Sequence, residues 1–584
     1  MALRRLKAGY KTYNIWAFDT ETDEDGNFKL GVIYNPLDDD YEVFYNAFDM
    51  AKSLLRPIGK HHEGRHYMGG FNVPYDLNTL HPYFRLNRLE NKGNFITCTA
   101  SKNSDRSKNK YRYFSFIDLS NFCRQGTSLK ELSGNLNVNY IDVHDYKDPL
   151  ILNACKSHAK SVSEILQKFQ KVINEDFESN LKLTVASTAM DVFQRKFLRE
   201  GHGIGKECKP DTVCDHKGQQ GQSYRGGITE MFNKNYFESV VCVDIKSMYP
   251  YMMKNLTIPN MNKCSNVLYK SNVEDYLNNF EGCAELTIKI PKNMYFHPFL
   301  IKNSGKLQSM WGDVTGVFTF SEIRYMLELG IKIKDCDWII QFKRRENFFT
   351  DFVDYLYKYK SKDKTGVYKL VMNSLYGKFG QKHKYETGFR VIEEGGVYNI
   401  EECYELNGVI YDYLPEDKEM KEYHRKAYPL IASYVTAGAR IYLYQEMLKV
   451  GLDKIIYCDT DSLVINDSEE NIKKKLEIKN ELGKWEIKFK GEFQARGLKY
   501  YRYRETNSDN WEYVIKGVPE KYKAEFWQNN KVTVKRPIKF NTAIRSKGEK
   551  KLNKWVSFTL TSKNPPLKRK FFKNGGSEMI KYKP

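Results

Sequence analysis

The chain lacks any apolar run of the about 18 residues that a membrane-spanning helix needs. Its first residues, Met1 to Tyr10, carry no apolar core of the kind that directs secretion. A cytoplasmic protein is therefore expected, in the host cytoplasm if the source is a virus. Paired cysteines are also lacking. The 11 cysteines, an odd number, are scattered over 584 residues, which suits reduced thiols and argues against a disulfide framework. Cys208, Cys214 and His216 lie close together but match no strong zinc spacing, so a metal-free loop is expected there. Repeats and long low-complexity segments are missing. Negative charge is in deficit, giving a formal net charge of +20. That excess favours a polyanionic partner, and 42 tyrosines among the lysines and arginines suit phosphate contacts combined with base stacking. A merely basic protein, or a genome rich in A and T, yields the same composition. At this length one core does not suffice, and three or more compact units are expected.

What is present is concentrated in a few short stretches. Lys454-Ile455-Ile456 and Leu463-Val464-Ile465 flank Tyr457-Cys458-Asp459-Thr460-Asp461-Ser462. The flanks suit two strands joined by a tight acidic turn. Asp459 and Asp461, two residues apart, share a face in extended geometry. Two like charges so close call for a counter-charge such as a divalent cation; taken alone, D-x-D also suits an acidic surface hairpin. A second acidic pair, Asp19 and Glu21, ends a strand expected over Tyr13 to Phe18. Asn72-Val73-Pro74-Tyr75-Asp76 is expected to lead from a strand into a helix start and bring Asp76 near Asp19. Ser128-Leu129-Lys130-Glu131-Leu132 has the hydroxyl cap and apolar repeat of another helix start.

Further along, Tyr224-Arg225-Gly226-Gly227 follows a Gly- and Gln-rich loop. Two glycines allow close approach to a phosphate and Arg225 can pair with it, although a simple turn accounts for the motif equally well. The β-branched run from Ser239 delivers Asp244 at a strand end, with Pro250 breaking regular structure just beyond. Lys369 to Gly380 has the pattern of a helix ending in glycine, with Lys369, Asn373 and Tyr376 on one face. Lys499 and Tyr501 are expected on one face of a strand. Lys516-Gly517-Val518 is expected to turn, and the chain from Lys531 is rich in lysine, with Lys568-Arg569-Lys570 near its end.

In this order the motifs resemble those of family B DNA polymerases, and specifically the protein-primed subfamily similar to the enzymes of small Bacillus phages. The resemblance implies an α+β multidomain chain. An RNase H-like 3′→5′ exonuclease domain (1–180) would precede a right-hand polymerase with two insertions. Palm would comprise 181–255 and 428–515, fingers 346–380 and thumb 516–584. The insertion 256–345 would contact terminal protein and DNA. The insertion 381–427 would form a β-hairpin that closes round the template and gives strand displacement.

By the same resemblance Asp244 and Asp461 bind two catalytic metals, Mg²⁺ or Mn²⁺, with Asp459 beside them as a third catalytic carboxylate. Tyr249 selects deoxynucleotides, and the backbone of 245 to 248 cradles the triphosphate. Lys369 neutralises that triphosphate, while Asn373 and Tyr376 hold the incoming nucleotide. Tyr224, Arg225, Gly226 and Gly227 hold template, and Lys499 and Tyr501 grip the primer end. Asp19, Glu21 and Asp76 are implied exonuclease ligands, again for two metals, with Asn72, Tyr75, Ser128 and Leu129 on the single-stranded 3′ end. The family's last exonuclease motif, Y-x3-D, is altered here. Ala154 replaces the tyrosine and His158 the aspartate, leaving His158, Asp145 or Asp148 as the remaining ligand. Implied partners are template and primer DNA, dNTPs and a terminal protein as primer, with a monomer acting away from membranes. Alternatives are nucleic-acid-primed or primer-independent synthesis, a chain that is mainly an exonuclease, and a non-enzymatic DNA-binding relic.

Overall fold

The structure, a computed structural model, describes residues 3–54, 67–80, 84–91, 96–102, 116–123, 126–199, 216–344, 347–381, 389–391, 403–406, 409–413, 427–539, 542, 553–562 and 567–583. Cys208, Cys214 and most of 381–427 lie outside these residues. Among the described residues the larger sheets have five, six and seven strands, and no helix is long and apolar enough to cross a membrane.

The five-stranded sheet is N-terminal. Ile15–Thr22, Phe28–Asn35 and Asp40–Phe44 pair antiparallel, and Tyr67–Gly70 and Phe116–Asp118 add in parallel. The strand expected to stop at Phe18 continues through Asp-Thr-Glu to Thr22. Thr20 and Thr22 are buried, while Asp19 and Glu21 alternate with them on the more open face. The long helix Ile151–Phe177 covers the sheet, and its Ser163 Oγ donates to the Ile15 carbonyl at 2.6 Å.

The seven-stranded sheet is antiparallel and central. Its order is Glu512–Ile515, Tyr500–Glu505, Trp485–Gly497, Tyr236–Ile245, Ser462–Ile465, Ile455–Asp459, Thr229–Met231. Val241, Val243 and Ile245 point into the main core, Val240 and Cys242 into a smaller one on the opposite face. The two-residue period puts Asp244 with the second set. The helix Pro429–Val450 is buried nearly all round, as its lack of a polar face requires. Pro250, expected to break regular structure, sits in the first turn of the helix Met248–Asn255, where a missing N–H costs nothing. The Gly- and Gln-rich stretch ahead of Tyr224 is a short helix, Lys217–Gln222, and not a loop. The helix Val367–Phe379 begins two residues before Lys369 and ends at Gly380 as expected. It packs beside Thr350–Tyr359.

Residues 259–344 build most of the six-stranded sheet, from Pro259–Tyr269, Lys332–Arg344, Phe280–Ile290 and Met310–Thr319. Its last two strands, Ser577–Lys581 and Arg569–Phe571, come from the C-terminus, with Met310 opposite Ile580 in parallel register. These strands were expected in the thumb. The Arg569 guanidinium is buried and donates from Nε to Ser577 Oγ at 2.8 Å, so it serves the fold and not a phosphate. Within 381–427 the described backbone forms a three-stranded antiparallel ribbon, Phe389–Val391, Val409–Tyr413, Cys403–Leu406. A second ribbon, Lys531–Pro537 with Trp555–Thr561, packs on the helix Lys523–Asn529 around Phe526 and Trp527. Its base touches the N-terminal unit: Trp555 N donates to the Glu24 carbonyl at 2.8 Å and Asn553 Nδ2 to the Tyr75 carbonyl at 2.9 Å.

Candidate active site

The central sheet brings together Asp244 and Asp461, far apart in the chain. Asp244 pairs in register with Ser462, and Ile245 N donates to the Asp461 carbonyl at 2.8 Å. Thr460, at the hairpin tip, has φ of 65°, a costly conformation for a β-branched residue. Its N–H donates to the Ile228 carbonyl at 2.6 Å, and Asp461 N to the Asp459 carbonyl at 2.8 Å. The tip is therefore held in one arrangement. Burial, then the charges of Asp244 and Asp459, push Asp461 up to about 7. Burial also raises Asp244, against the pull of Lys488, whose Nζ is 3.8 Å from Asp244 Oδ1. A half-buried, oxygen-only carboxylate pair with a counter-charge no closer than Lys488 fits a hard divalent cation such as Mg²⁺ or Mn²⁺.

Asp459 is differently placed. Its Oδ1 accepts from Thr229 Oγ1 at 3.0 Å and Thr460 Oγ1 at 3.2 Å, and its Oδ2 lies 3.0 Å from Lys499 Nζ. Lys499 is not on a strand face with Tyr501. It occupies the turn between Trp485–Gly497 and Tyr500–Glu505 with φ of 53°, its N–H donating to the Tyr457 hydroxyl at 2.8 Å. Tyr501, on Tyr500–Glu505, packs on the Tyr457 ring, centroids 5.1 Å apart.

Over the carboxylates, the exposed side of Val367–Phe379 presents Lys369 and Asn373, with Tyr376 partly buried beside them. The Tyr376 ring stacks on Tyr249, with centroids 4.7 Å apart and planes at 23°. Burial pushes Tyr249 up to about 12. Burial, then the nearby Lys246 and Lys369, pushes Lys360 down to about 8. Lys246 is paired with Glu486, and Lys369 and Lys360 leave positive charge near the acidic pair for a polyanion.

The Y-x-G-G loop meets this site through one glycine. A side-chain carbon at Gly227 would lie 2.9 Å from the Tyr249 hydroxyl and 3.0 Å from Thr460 Cγ2, whereas one at Gly226 meets nothing within 4 Å. Arg225, expected on a phosphate, is turned inward. It is buried, donates to the Val317 carbonyl, and lies 3.8 Å from Glu322 and over the Phe318 ring. Arg440 holds the loop from the buried helix, donating to the Arg225 and Gly226 carbonyls at 2.9 and 3.0 Å and to Glu322 at 2.8 Å. Arg440, Lys488 and the Lys246 side chain are site residues that sequence reasoning missed; Lys246 lies in the stretch from Asp244 to Pro250, where only the backbone was assigned a role, and the other two lie outside the motifs.

Residues 151–479 match the family model described as DNA polymerase type B, organellar and viral. The chain belongs to this family. A DNA-directed DNA polymerase of Enterobacteria phage PRD1 is 27% identical over 354 residues, 56% of this chain and 55% of that protein. A probable DNA polymerase of Podospora anserina is 25% identical over 370 residues, 56% of this chain and 29% of that one. The DNA polymerase of Bacillus phage phi29 is 24% identical over 284 residues, 45% of each chain's length. The chain thus spans about half or less of the curated relatives it matches. In solved structures, Phi29 DNA polymerase complexed with primer-template DNA superposes with a TM-score of 0.71 at 16% identity, over 94% of this chain and all of that one. That likeness establishes the type B fold, an exonuclease domain followed by palm, fingers and thumb.

The N-terminal unit of this type B chain holds the second acidic centre. Asp76, buried in the first turn of Val73–Leu80, accepts at Oδ1 from Thr20 N at 3.2 Å and Thr20 Oγ1 at 2.8 Å. Burial, then Asp19, drives Asp76 well above the usual carboxylate range, and the same two causes push Glu21 up to about 9. His158, on the covering helix, brings Nδ1 to 3.1 Å from Asp19 Oδ2 and Nε2 to 2.8 Å from the Ile141 carbonyl. Burial alone would lower His158, but its hydrogen bond to Asp19 and the charge there raise it. Asp145 and Asp148 do not reach this centre. They accept from Lys147 N at 3.0 Å and Leu150 N at 2.8 Å, within the turns ahead of the helix.

The surrounding residues divide. Asn72, with φ of 63°, is exposed, and its N–H donates to Asp118 Oδ1 at 3.0 Å. The Tyr75 hydroxyl lies 2.5 Å from Thr22 Oγ1. Ser128 caps its own helix at Glu131 N and Leu129 sinks into the core; nothing in the structure joins them to the carboxylates. Two residues sequence reasoning missed stand at the centre. Tyr140 stacks on His158 with centroids 4.8 Å apart. His144, with Glu21 and His158, has a ligand atom within 4.8 Å of the others. The Y-x3-H spacing of Tyr140 and His144 was the available signal.

Proposed function

We propose that the chain is a template-directed DNA polymerase that replicates a linear viral or plasmid genome from a protein primer, with strand displacement. The observation that carries this reading is the oxygen-only pair Asp244 and Asp461, held at one end of the palm sheet beneath Lys369 and the Tyr249–Tyr376 stack. Two divalent cations there, Mg²⁺ or Mn²⁺, would supply charge neutralisation and activation of the primer 3′-hydroxyl. This chain's own residues do the rest. Asp244 and Asp461 fix the reacting centre, and Lys369, with Lys360 and Lys246 near it, attracts the triphosphate. Tyr249, braced by Tyr376, forms the floor beneath the sugar. Asn373 lines the same side, and the backbone of 245 to 248 approaches the phosphates. Lys499 orients Asp459, and Tyr501 supports the primer side with it. Tyr224 and the backbone of Gly226 and Gly227 flank the template, with Arg225 and Arg440 shaping that loop from within.

The assignments of 181–255 and 428–515 to palm and 346–380 to fingers belong to the same proposal, as does that of 516–584 to thumb apart from the C-terminal strands from Arg569, which extend the sheet of residues 259–344. So do 1–180 as a proofreading exonuclease on Asp19, Glu21, Asp76 and His158, with Asn72 and Tyr75 near the strand, and the contact of 256–345 with a terminal protein. The antiparallel ribbon within 381–427 supports the strand-displacing role given to that insertion. Asp461→Ala is expected to abolish dNTP incorporation while leaving DNA binding within about twofold; normal incorporation would sink the assignment. Deoxynucleotidylation of a candidate terminal protein separates protein priming from nucleic-acid-primed or primer-independent synthesis. Loss of single-stranded 3′-end degradation in Asp19→Ala with Glu21→Ala separates exonuclease from polymerase.

A further inference from the structure

The exonuclease centre contains two imidazoles, and the palm centre none. His158 is buried, and its Nε2 lies 2.8 Å from the Ile141 carbonyl. A carbonyl accepts only, so Nε2 must carry a hydrogen and donate it. In the neutral ring this leaves Nδ1 as a bare lone pair, aimed at Asp19 Oδ2 from 3.1 Å. In the metal-free protein a proton shared with Asp19 satisfies that contact, and a bound dication would displace it. Ligand atoms about 2.0–2.2 Å from one tetrahedral ion stand about 3.3–3.6 Å apart, a few tenths of an ångström more than the observed separation. An N–H fixed on a backbone carbonyl is also how metal-binding histidines are commonly oriented.

His144 supplies the second nitrogen. The ligand atoms of Glu21, His144 and His158 lie within 4.8 Å of one another. Ligands on one tetrahedral ion stand about 3.3–3.6 Å apart, so side-chain shifts of about an ångström close the set. The loop carrying His144 is tied to the helix by the Tyr140 ring, stacked on His158, whose hydroxyl lies 3.3 Å from His144 Nε2; Asp142 Oδ1 is 3.5 Å from that nitrogen.

Mg²⁺ prefers oxygen donors, whereas imidazole suits transition-metal dications. We propose that the exonuclease centre is a mixed nitrogen–oxygen site for a transition-metal dication such as Mn²⁺ or Zn²⁺, with Glu21, His144 and His158 as ligands. One chain would then carry two centres of different metal preference, an oxygen-only palm and a nitrogen-containing exonuclease site. The inference rests on the exonuclease reading of the N-terminal domain for its biological use, but the metal site is tested without it.

The test uses full-length protein with Asp244→Asn and Asp461→Asn, which removes the palm carboxylates. Pulsed electron paramagnetic resonance of the Mn²⁺-loaded protein should show coupling to ¹⁴N. The coupling should change to ¹⁵N when histidine is labelled and disappear in His144→Gln with His158→Gln, with Mn²⁺ affinity falling at least about tenfold. Zn²⁺ should displace Mn²⁺ at equal concentration and Mg²⁺ should not. If the double variant fails to fold, exposed His144→Gln alone should halve the nitrogen signal. Mn²⁺ bound through oxygen alone, affinity unchanged in the histidine variants, or displacement by equal Mg²⁺ would overturn the proposal. Nitrogen-ligated Mn²⁺ without 3′-end degradation in wild-type protein would uphold the metal site and defeat the exonuclease reading. Degradation with oxygen-only Mn²⁺ would do the reverse.

Discussion

Gly227→Ala is the sharpest single perturbation of the palm. Neither Gly226 nor Gly227 has a left-handed backbone, so an alanine changes local sterics and little else. The added carbon at 227 would stand 2.9 Å from the Tyr249 hydroxyl, 3.0 Å from Thr460 Cγ2 and 3.3 Å from Thr460 Cα. Ordinary contact requires about half an ångström more at each of the first two. The tyrosine is blocked by its stack on Tyr376, and the Thr460 N–H is tied to Ile228. The strain therefore passes to the hairpin tip that carries Asp461. Overpacking of this kind costs about 1–3 kcal/mol, and displacing a reacting group by about 1 Å costs on the order of a hundredfold in rate. A single-turnover incorporation assay should show a loss of about 10- to 100-fold, with primer-template binding within about twofold. Gly226→Ala, whose added carbon meets nothing within 4 Å, is the internal control. It should stay within about 0.5 kcal/mol in stability and close to wild type in rate. Equal behaviour of the two variants, or a silent Gly227→Ala, would refute the reasoning.

Tyr249→Val should raise the ratio of ribonucleotide to deoxynucleotide incorporation by at least about tenfold, a barrier change of about 1.4 kcal/mol, because it removes the braced ring; unchanged discrimination would take the sugar-floor role from Tyr249. Asp461, raised by burial and by Asp244 and Asp459 from 3.8 to about 7, holds a proton that a cation must displace. Palm metal affinity, followed by Mn²⁺ titration from pH 6 to 8, should weaken about tenfold per unit below about 7 and level off above it, and a flat profile would contradict this. A carboxyl raised in the folded state stabilises the metal-free chain at low pH, and that contribution fades as pH rises toward about 7. Chelation should therefore destabilise the palm more at pH 8 than at pH 6.

Much of the fold was legible in the chain itself. The apolar runs around Asp459-Thr460-Asp461 and ahead of Asp244 specified short strands with carboxylates at their ends, because the two-residue period assigns each side chain a face before any partner strand is known. The helix carrying Lys369, Asn373 and Tyr376 was likewise local, a 3.6-residue repeat stopped by Gly380. Those motifs and their order sufficed to suggest the type B family. Tertiary structure alone decided where charges went. Arg225 looked like a phosphate ligand until Glu322 and Val317 arrived from about a hundred residues away to satisfy it. Lys499 looked like a strand residue, yet a positive φ turns it onto Asp459. The C-terminal strands joined residues 310–319 and not the thumb, since strand pairing depends on edges made elsewhere in the chain. His158 shows both sides. Its departure from the expected aspartate was visible in sequence, but the nitrogen partner at His144 and the carbonyl of Ile141 meet it only when loop and helix pack, because a side chain's partners across space leave no trace in its own neighbourhood.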